Sequence, residues 1–181
     1  MSGLPVSQTL ATARLVLRPR RSEEVAVYRQ LWTERDPRVP ANRRIDAAGS
    51  PTLADIAGVV RAERDAAGLG LLAVERTRAG DVIGYCGLVE SGNGSRDEPE
   101  LAFQRAEAGA RVRRRHRGGR GRVAWASEAG HERLWAGVRD WNLASRRVLA
   151  KVGFHESGKV EVDPAHGNSP LLLRDLGHPS G

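Results

Sequence analysis

Cysteine, lysine and long apolar runs are all scarce in this 181-residue chain. Cys86 is the single cysteine, which excludes an internal disulfide and a zinc site built on several cysteines. His116 and His131 have no partner His or Cys at ligand spacing, which argues against a metal site of another kind. No apolar run approaches the roughly 18 residues that a membrane-spanning helix needs. The stretch Met1 to Leu10 has no basic region followed by an apolar core, so no signal peptide is expected. These absences lead to the expectation of a cytoplasmic protein. What is present suits a folded domain: hydrophobic residues make up 40% and charged residues 28% of the chain, a balance typical of globular proteins. The length fits one domain, 1–181, with a core over about 12–176. A domain of this size buries roughly 70% of the surface of its unfolded chain.

Lysine occurs only at Lys151 and Lys159, so the net charge of +7 rests on arginine. That charge is local. Arg105 to Arg122 holds eight arginines and one acid, Glu107, and the remainder of the chain has equal numbers of acids and bases. A basic segment raises nucleic acid as a partner. The same segment contains no Phe, Tyr or Trp, so the base stacking of a single-strand binder is missing.

The hydrophobic pattern predicts alternating strands and helices. Arg14 to Pro19 alternates and ends at a proline, as a strand does. A helix starts at Ser22, with Val25, Tyr28, Leu31 and Trp32 on one face. Asp36 to Pro51 is a loop, rich in Pro, Arg and Gly. Thr52 caps a second helix with Leu53, Ile56, Val59 and Val60 turned inward, which ends near Gly68 or Gly70. Leu71 to Glu75 and Val82 to Val89 form strands around a turn at Ala79 to Asp81. After a polar loop, Ser91 to Pro99, come a strand at Glu100 to Gln104, a helix at Val123 to Ala129 and a strand at Arg133 to Val138. A helix follows from Asn142 to Val152, stopped by Gly153. A short strand after Phe154, a loop at Asp163 to Asn168 and a strand at Pro170 to Leu173 complete a mixed α/β domain.

Four segments together resemble the GNAT superfamily of acetyl-coenzyme A-dependent N-acetyltransferases, closest to the ribosomal-protein-alanine acetyltransferase branch. They are Thr12-Ala-Arg-Leu-Val-Leu-Arg-Pro19, Val82-Ile-Gly-Tyr-Cys-Gly-Leu88, Glu100-Leu-Ala-Phe103 and Asn142-Leu-Ala-Ser-Arg-Arg-Val-Leu-Ala-Lys-Val-Gly-Phe154. The last is the most specific, with a cap, an apolar face and a glycine stop in thirteen positions. The resemblance implies a single-domain α/β (α+β) fold, with a mixed, mostly antiparallel central sheet and helices on both faces. It implies acetyl-coenzyme A as co-substrate, an amine as acceptor, and the dimers common in the family.

One segment departs from the family pattern. In such enzymes a glycine-bearing loop after the strand at Glu100 holds the coenzyme pyrophosphate on backbone N–H groups and a helix N-terminus. Residue types place that loop at His116 to Gly121, leaving about two turns for the following helix. Length places it at Ala110, Arg111, Val112 and Arg113, where the expected glycines are absent. The helix would then contain Gly118, Gly119 and Gly121, each costing about 1 kcal/mol. A compensated frameshift reconciles the two: with GC-rich codons, Gly109 to Arg113 reads Gly-Arg-Gly-Tyr in the +1 frame. A genuinely divergent loop is the alternative, and resequencing the gene separates them.

The chemistry that the resemblance implies needs both reactants oriented, a base for the ammonium, a donor for the developing oxyanion and a proton for the departing thiolate. Phe103 or Gln104 supplies the backbone donor, and Phe103, Gln104 and Arg105 count among the coenzyme-binding residues. Asn142 matches the family residue on the pantetheine arm and is equally a helix cap. Ser145 matches the hydroxyl of this branch, and its other reading is an ordinary first-turn serine. Glu100, Glu90 and Asp140 are candidate bases. Cys86, among apolar neighbours, reads as a core residue. Two further readings stay open: a catalytically impaired protein of this fold, and a nucleic-acid-binding module using residues 105–122.

Overall fold

The computed structural model describes residues 9–65, 69–90, 95–106, 123, 126 and 130–177. Eight strands form one sheet: β1 Leu10–Ala11, β2 Leu15–Pro19, β3 Gly70–Arg76, β4 Val82–Val89, β5 Glu100–Arg105, β6 Arg133–Gly137, β7 His155–Glu161 and β8 Ser169–Asp175. Their spatial order is β1-β2-β3-β4-β5-β6-β8-β7. Every neighbouring pair is antiparallel except β5 and β6, which run parallel. Three α-helices are described: α1 Val25–Thr33, α2 Leu53–Asp65 and α3 Leu143–Lys151. Val123 and Ala126 are helical as well.

Strand alternation divides the core between the two faces of the sheet. Leu15, Leu17, Leu72, Val74, Cys86, Leu88, Leu101, Leu134 and Ala136 point to one face, where Val123, Ala126, Leu149, Val152 and Phe154 cover them. The opposite face presents Ala73 to Tyr28 and Leu31 of α1 and to Ile56 and Val60 of α2. Helices therefore lie on both faces of a mostly antiparallel sheet, as the resemblance implies. Cys86 is buried in the first cluster, 4% exposed.

Some expectations need correction. Ser22–Glu24 is a 3-10 turn, and the α-helix begins at Val25. Leu53 and Val59 are not inward: they are 48% and 54% exposed. The stripe that meets α1 consists of Ile56 and Val60, one turn apart, and Val59 falls beside it. Leu53 lies in the first turn of α2, lining an open groove with Ala26 and Arg29. Gly70 is not a helix stop but the first residue of β3.

The α3 segment behaves as its sequence predicts. The Asn142 side chain accepts the Ser145 N–H at 3.1 Å, Val148 and Leu149 are buried, and Gly153 follows at φ +85°. At that φ a side chain is strained, and a Cβ would also stand 2.8 Å from Nη1 of Arg174, which donates to the Val152 carbonyl.

Candidate active site

The parallel strands β5 and β6 touch at one point. Glu100 opposes Trp135, and the Trp135 N–H donates to the Pro99 carbonyl at 3.0 Å. Beyond this point, towards Arg105 and Gly137, no backbone pair is formed, so the sheet opens into a gap. The direction of each β5 amide follows from alternation. Pro99 faces β6, whereas the Ala106 N–H donates to the Ile83 carbonyl of the β4 side at 2.9 Å. The N–H of Leu101 points to β6 within the Glu100–Trp135 contact, those of Phe103 and Arg105 therefore turn to the gap, and those of Ala102 and Gln104 turn to β4. Of the two expected backbone donors, Phe103 faces the gap.

Glu100 leans into this opening. Its Oε1 accepts the Gly137 N–H at 3.1 Å, so a side chain spans part of the distance that the two backbones leave. A Cβ on residue 137 would stand 3.3 Å from the same oxygen. Burial pushes the Glu100 carboxyl above the usual carboxylate range. The Gly137 N–H and the charge of Arg43 act against that rise, and the charge of Glu161 adds to it. The other candidate bases differ. Glu90 is exposed. Asp140 is occupied as a clasp, its Oδ1 accepting the Trp141 N–H at 2.7 Å and its Oδ2 the Asn168 N–H at 3.2 Å.

Gln104 sends its side chain to the α1 side of the sheet. Its Nε2 donates to the Leu31 carbonyl, and its Oε1 accepts from the Tyr85 hydroxyl at 3.0 Å and from Arg35 Nε at 3.1 Å. Arg35 also donates to the Arg43 carbonyl at 2.7 Å and lies over the Trp32 ring at 3.9 Å. Arg35 thus fastens the connection between α1 and α2 onto β5. A second fastening is Arg38, 4.1 Å above the ring of Trp141, whose Nε1 donates to the His166 carbonyl at 2.9 Å. Three loops meet along one side of the gap.

Asn142 and Ser145 stand at the end of the gap towards which β6 runs, because α3 begins six residues after Gly137. Ser145 is half-buried, and its backbone N–H satisfies the cap. Removing that cap with Asn142→Ala is expected to cost about 1 kcal/mol. Thermal unfolding should show it as a fall of roughly 2–4 °C for a chain of this size. The expected pyrophosphate residues Ala110, Arg111, Val112 and Arg113, and the alternative His116 to Gly121, lie outside the described residues.

The acetyltransferase (GNAT) domain family model matches residues 14–155, from β2 through α3. The chain belongs to the GNAT acetyltransferase family. Solved structures agree on the GNAT fold. A chain described as a GNAT-family acetyltransferase from Bordetella pertussis is 22% identical, with a TM-score of 0.70, over 92% of this chain and 99% of that one. RimJ of Mycobacterium smegmatis, solved in complex with CoA-disulfide, is 21% identical with a TM-score of 0.68, over 95% and 90%. A spermidine N-acetyltransferase SpeG variant from Vibrio cholerae is 13% identical with a TM-score of 0.69, over 91% and 95%. No curated protein sequence matches the chain.

GNAT enzymes use acetyl-coenzyme A, and acetyl transfer to amines is general for the family. Among the described residues no helix is long and apolar enough to cross a membrane. Sequence reasoning missed Gly137, Arg35 and Arg43. Gly137 acts through its backbone and the room it leaves. The two arginines sit in a loop without periodicity, and only the fold brings them to β5.

Proposed function

We propose that this GNAT domain transfers an acetyl group from acetyl-coenzyme A to a primary amine, with Glu100 as the general base. The observation that carries this reading is the Glu100 carboxylate, held by the Gly137 N–H at the mouth of the β5–β6 gap on the strand whose Phe103 N–H turns into that gap. Acetyl-coenzyme A supplies the activated acyl group as a thioester. The Phe103 N–H is placed to receive negative charge that develops on the acyl oxygen, because backbone donors in a narrow gap need no reorganisation. Glu100 takes the proton from the acceptor ammonium. A carboxyl pushed up by burial suits that role, since a general base works best with a pKa near the operating pH.

Asn142 orients the coenzyme arm at the start of α3, and Ser145 is the proposed proton donor to the thiolate. Arg105 and residues 110–113 are proposed to line the coenzyme path. The acceptor is a protein N-terminus or a small amine. Acetyl-coenzyme A at 100 times its dissociation constant should stabilise the fold by about 2.7 kcal/mol. That corresponds to a rise of several degrees in the unfolding temperature. The absence of any rise at millimolar acetyl-coenzyme A would overturn this reading in favour of an impaired site.

A further inference from the structure

The loop that borders the proposed acceptor side carries a cation without a hydrogen-bond or ion-pair partner among the described residues. Arg43 ends a 3-10 turn, Ala41–Arg43. Its backbone is fixed from both sides: the N–H donates to the Pro40 carbonyl at 2.9 Å, and the carbonyl accepts from Arg35. Arg35 in turn holds Gln104, which shares one face of β5 with Glu100, four residues earlier. This chain of contacts sets Arg43 over the face of β5 that presents Glu100, near enough for its charge to act on that carboxyl. The Arg43 guanidinium is exposed and makes no hydrogen bond or ion pair with a described residue. The next residue, Arg44, has a buried Nε that also lacks a hydrogen-bond partner. By contrast, Arg35, Arg38 and Arg139 around the same loops are all engaged. A fixed backbone that offers a guanidinium without a described partner, over the face of β5 that presents a carboxylate, forms a two-pole receptor. Its negative pole is Glu100, with the charge of Glu161 close by. Its positive pole is Arg43.

We propose that the acceptor amine carries an anionic group, most simply a carboxylate, and that Arg43 is the specificity-determining residue that receives it. The inference rests on the acetyl-transfer reading with Glu100 as the amine's partner. An ammonium at Glu100 and a carboxylate at Arg43 match the poles in sign. A polyamine does not, because its second ammonium meets Arg43 with like charge. A guanidinium also presents a fork that a carboxylate fills with two hydrogen bonds.

The test uses the full chain, saturating acetyl-coenzyme A, thiol release as readout, and acceptors in pairs that differ by one carboxylate. Suitable pairs are γ-aminobutyrate with butylamine, and a Ser-Asp peptide amide with its Ser-Asn counterpart, with spermidine as the polycation. Each rate is expressed per free amine. The wild type should favour the acidic member of each pair by about tenfold or more in kcat/KM, and should use spermidine worst. Arg43→Glu should bring the ratio to one or invert it, and Arg43→Lys should retain part of it. In both variants acetyl-coenzyme A should stabilise the fold as in the wild type. A wild type that prefers the neutral members or spermidine overturns the inference and leaves acetyl transfer standing. So does a preference that survives Arg43→Glu unchanged. If acetyl-coenzyme A stabilises the fold but no amine releases thiol, the acetyl-transfer reading fails and the inference fails with it.

Discussion

Replacing Glu100 with Gln should lower kcat/KM for amine acetylation by two orders of magnitude or more, the usual scale of a positioned general base. The variant keeps the geometry. The amide oxygen can still accept the Gly137 N–H that the carboxylate accepts at 3.1 Å, and the side chain keeps its volume. What it loses is the capacity to take a proton. The pH profile identifies this loss. Burial raises the Glu100 proton affinity, so the wild type should gain activity as pH rises through a value above the ordinary glutamate range. In Glu100→Gln that limb should disappear, while the limb set by the acceptor amine remains. Thiol release measured from acid to mildly alkaline pH checks this. A variant within threefold of wild type, with its acid limb intact, would remove Glu100 from the base role.

The stability of the same variant has the opposite sign. A carboxyl whose folded pKa lies above its unfolded value binds its proton more tightly in the folded state. The fold is therefore disfavoured by this group at pH above both values, and recovers as pH falls through the folded value. Gln removes that burden at neutral pH, so the unfolding temperature should be unchanged or higher. Activity lost without stability lost is the pattern of a group held in an unfavourable state for its chemistry.

The legibility of these features in the sequence follows from the range of the interactions behind them. Asn142, Val148, Leu149 and Gly153 could be read because a cap, an i,i+1,i+4 apolar face and a glycine stop act within a few residues. The strands β2 to β5 could be read for the same reason, β2 from alternation that ends at a proline and β3 and β4 from apolar runs around a turn. Glu100 could be named only as one of three acids, because its burial depends on β6, more than thirty residues later. The fastening of Gln104 by Arg35 and Tyr85 joins positions 69 and 19 residues apart, and no local pattern announces it. The inward placing of Leu53 and Val59 fails for a related reason. Helical periodicity gives the direction of a stripe, but the width of the stripe is set by the partner helix.

The largest expected loss of stability lies far from the gap. Arg18, at the end of β2, is 7% exposed and bridges two acids. Its Nη2 pairs with Glu24, and its Nε donates to Glu75 Oε2 at 2.6 Å. Glu24 also accepts the Tyr28 hydroxyl at 2.9 Å, so one arginine ties β2, β3 and the start of α1 together. Arg18→Met fills similar volume but strands two acids whose side chains are only 17% and 22% exposed. Breaking a buried ion pair from one side costs about 3–5 kcal/mol, which predicts a fall of roughly 10 °C in the unfolding temperature. The sign of the pH effect tests the cause. Burial alone would raise the Glu24 carboxyl, but the hydrogen bonds from Arg18 and Tyr28 outweigh it and hold the group below the ordinary range. A depressed folded pKa contributes stability above the unfolded value, and that contribution is lost as pH falls through the folded one. The wild type should therefore lose stability on acidification through this window. Arg18→Met, destabilised at neutral pH, should lose much less there, because its stranded acids gain by taking up protons. Glu24→Gln in the Arg18→Met background should recover part of the loss, since coupled groups are not additive. An Arg18→Met protein that melts within 2 °C of wild type at pH 7 would show that the bridge contributes nothing beyond its own desolvation.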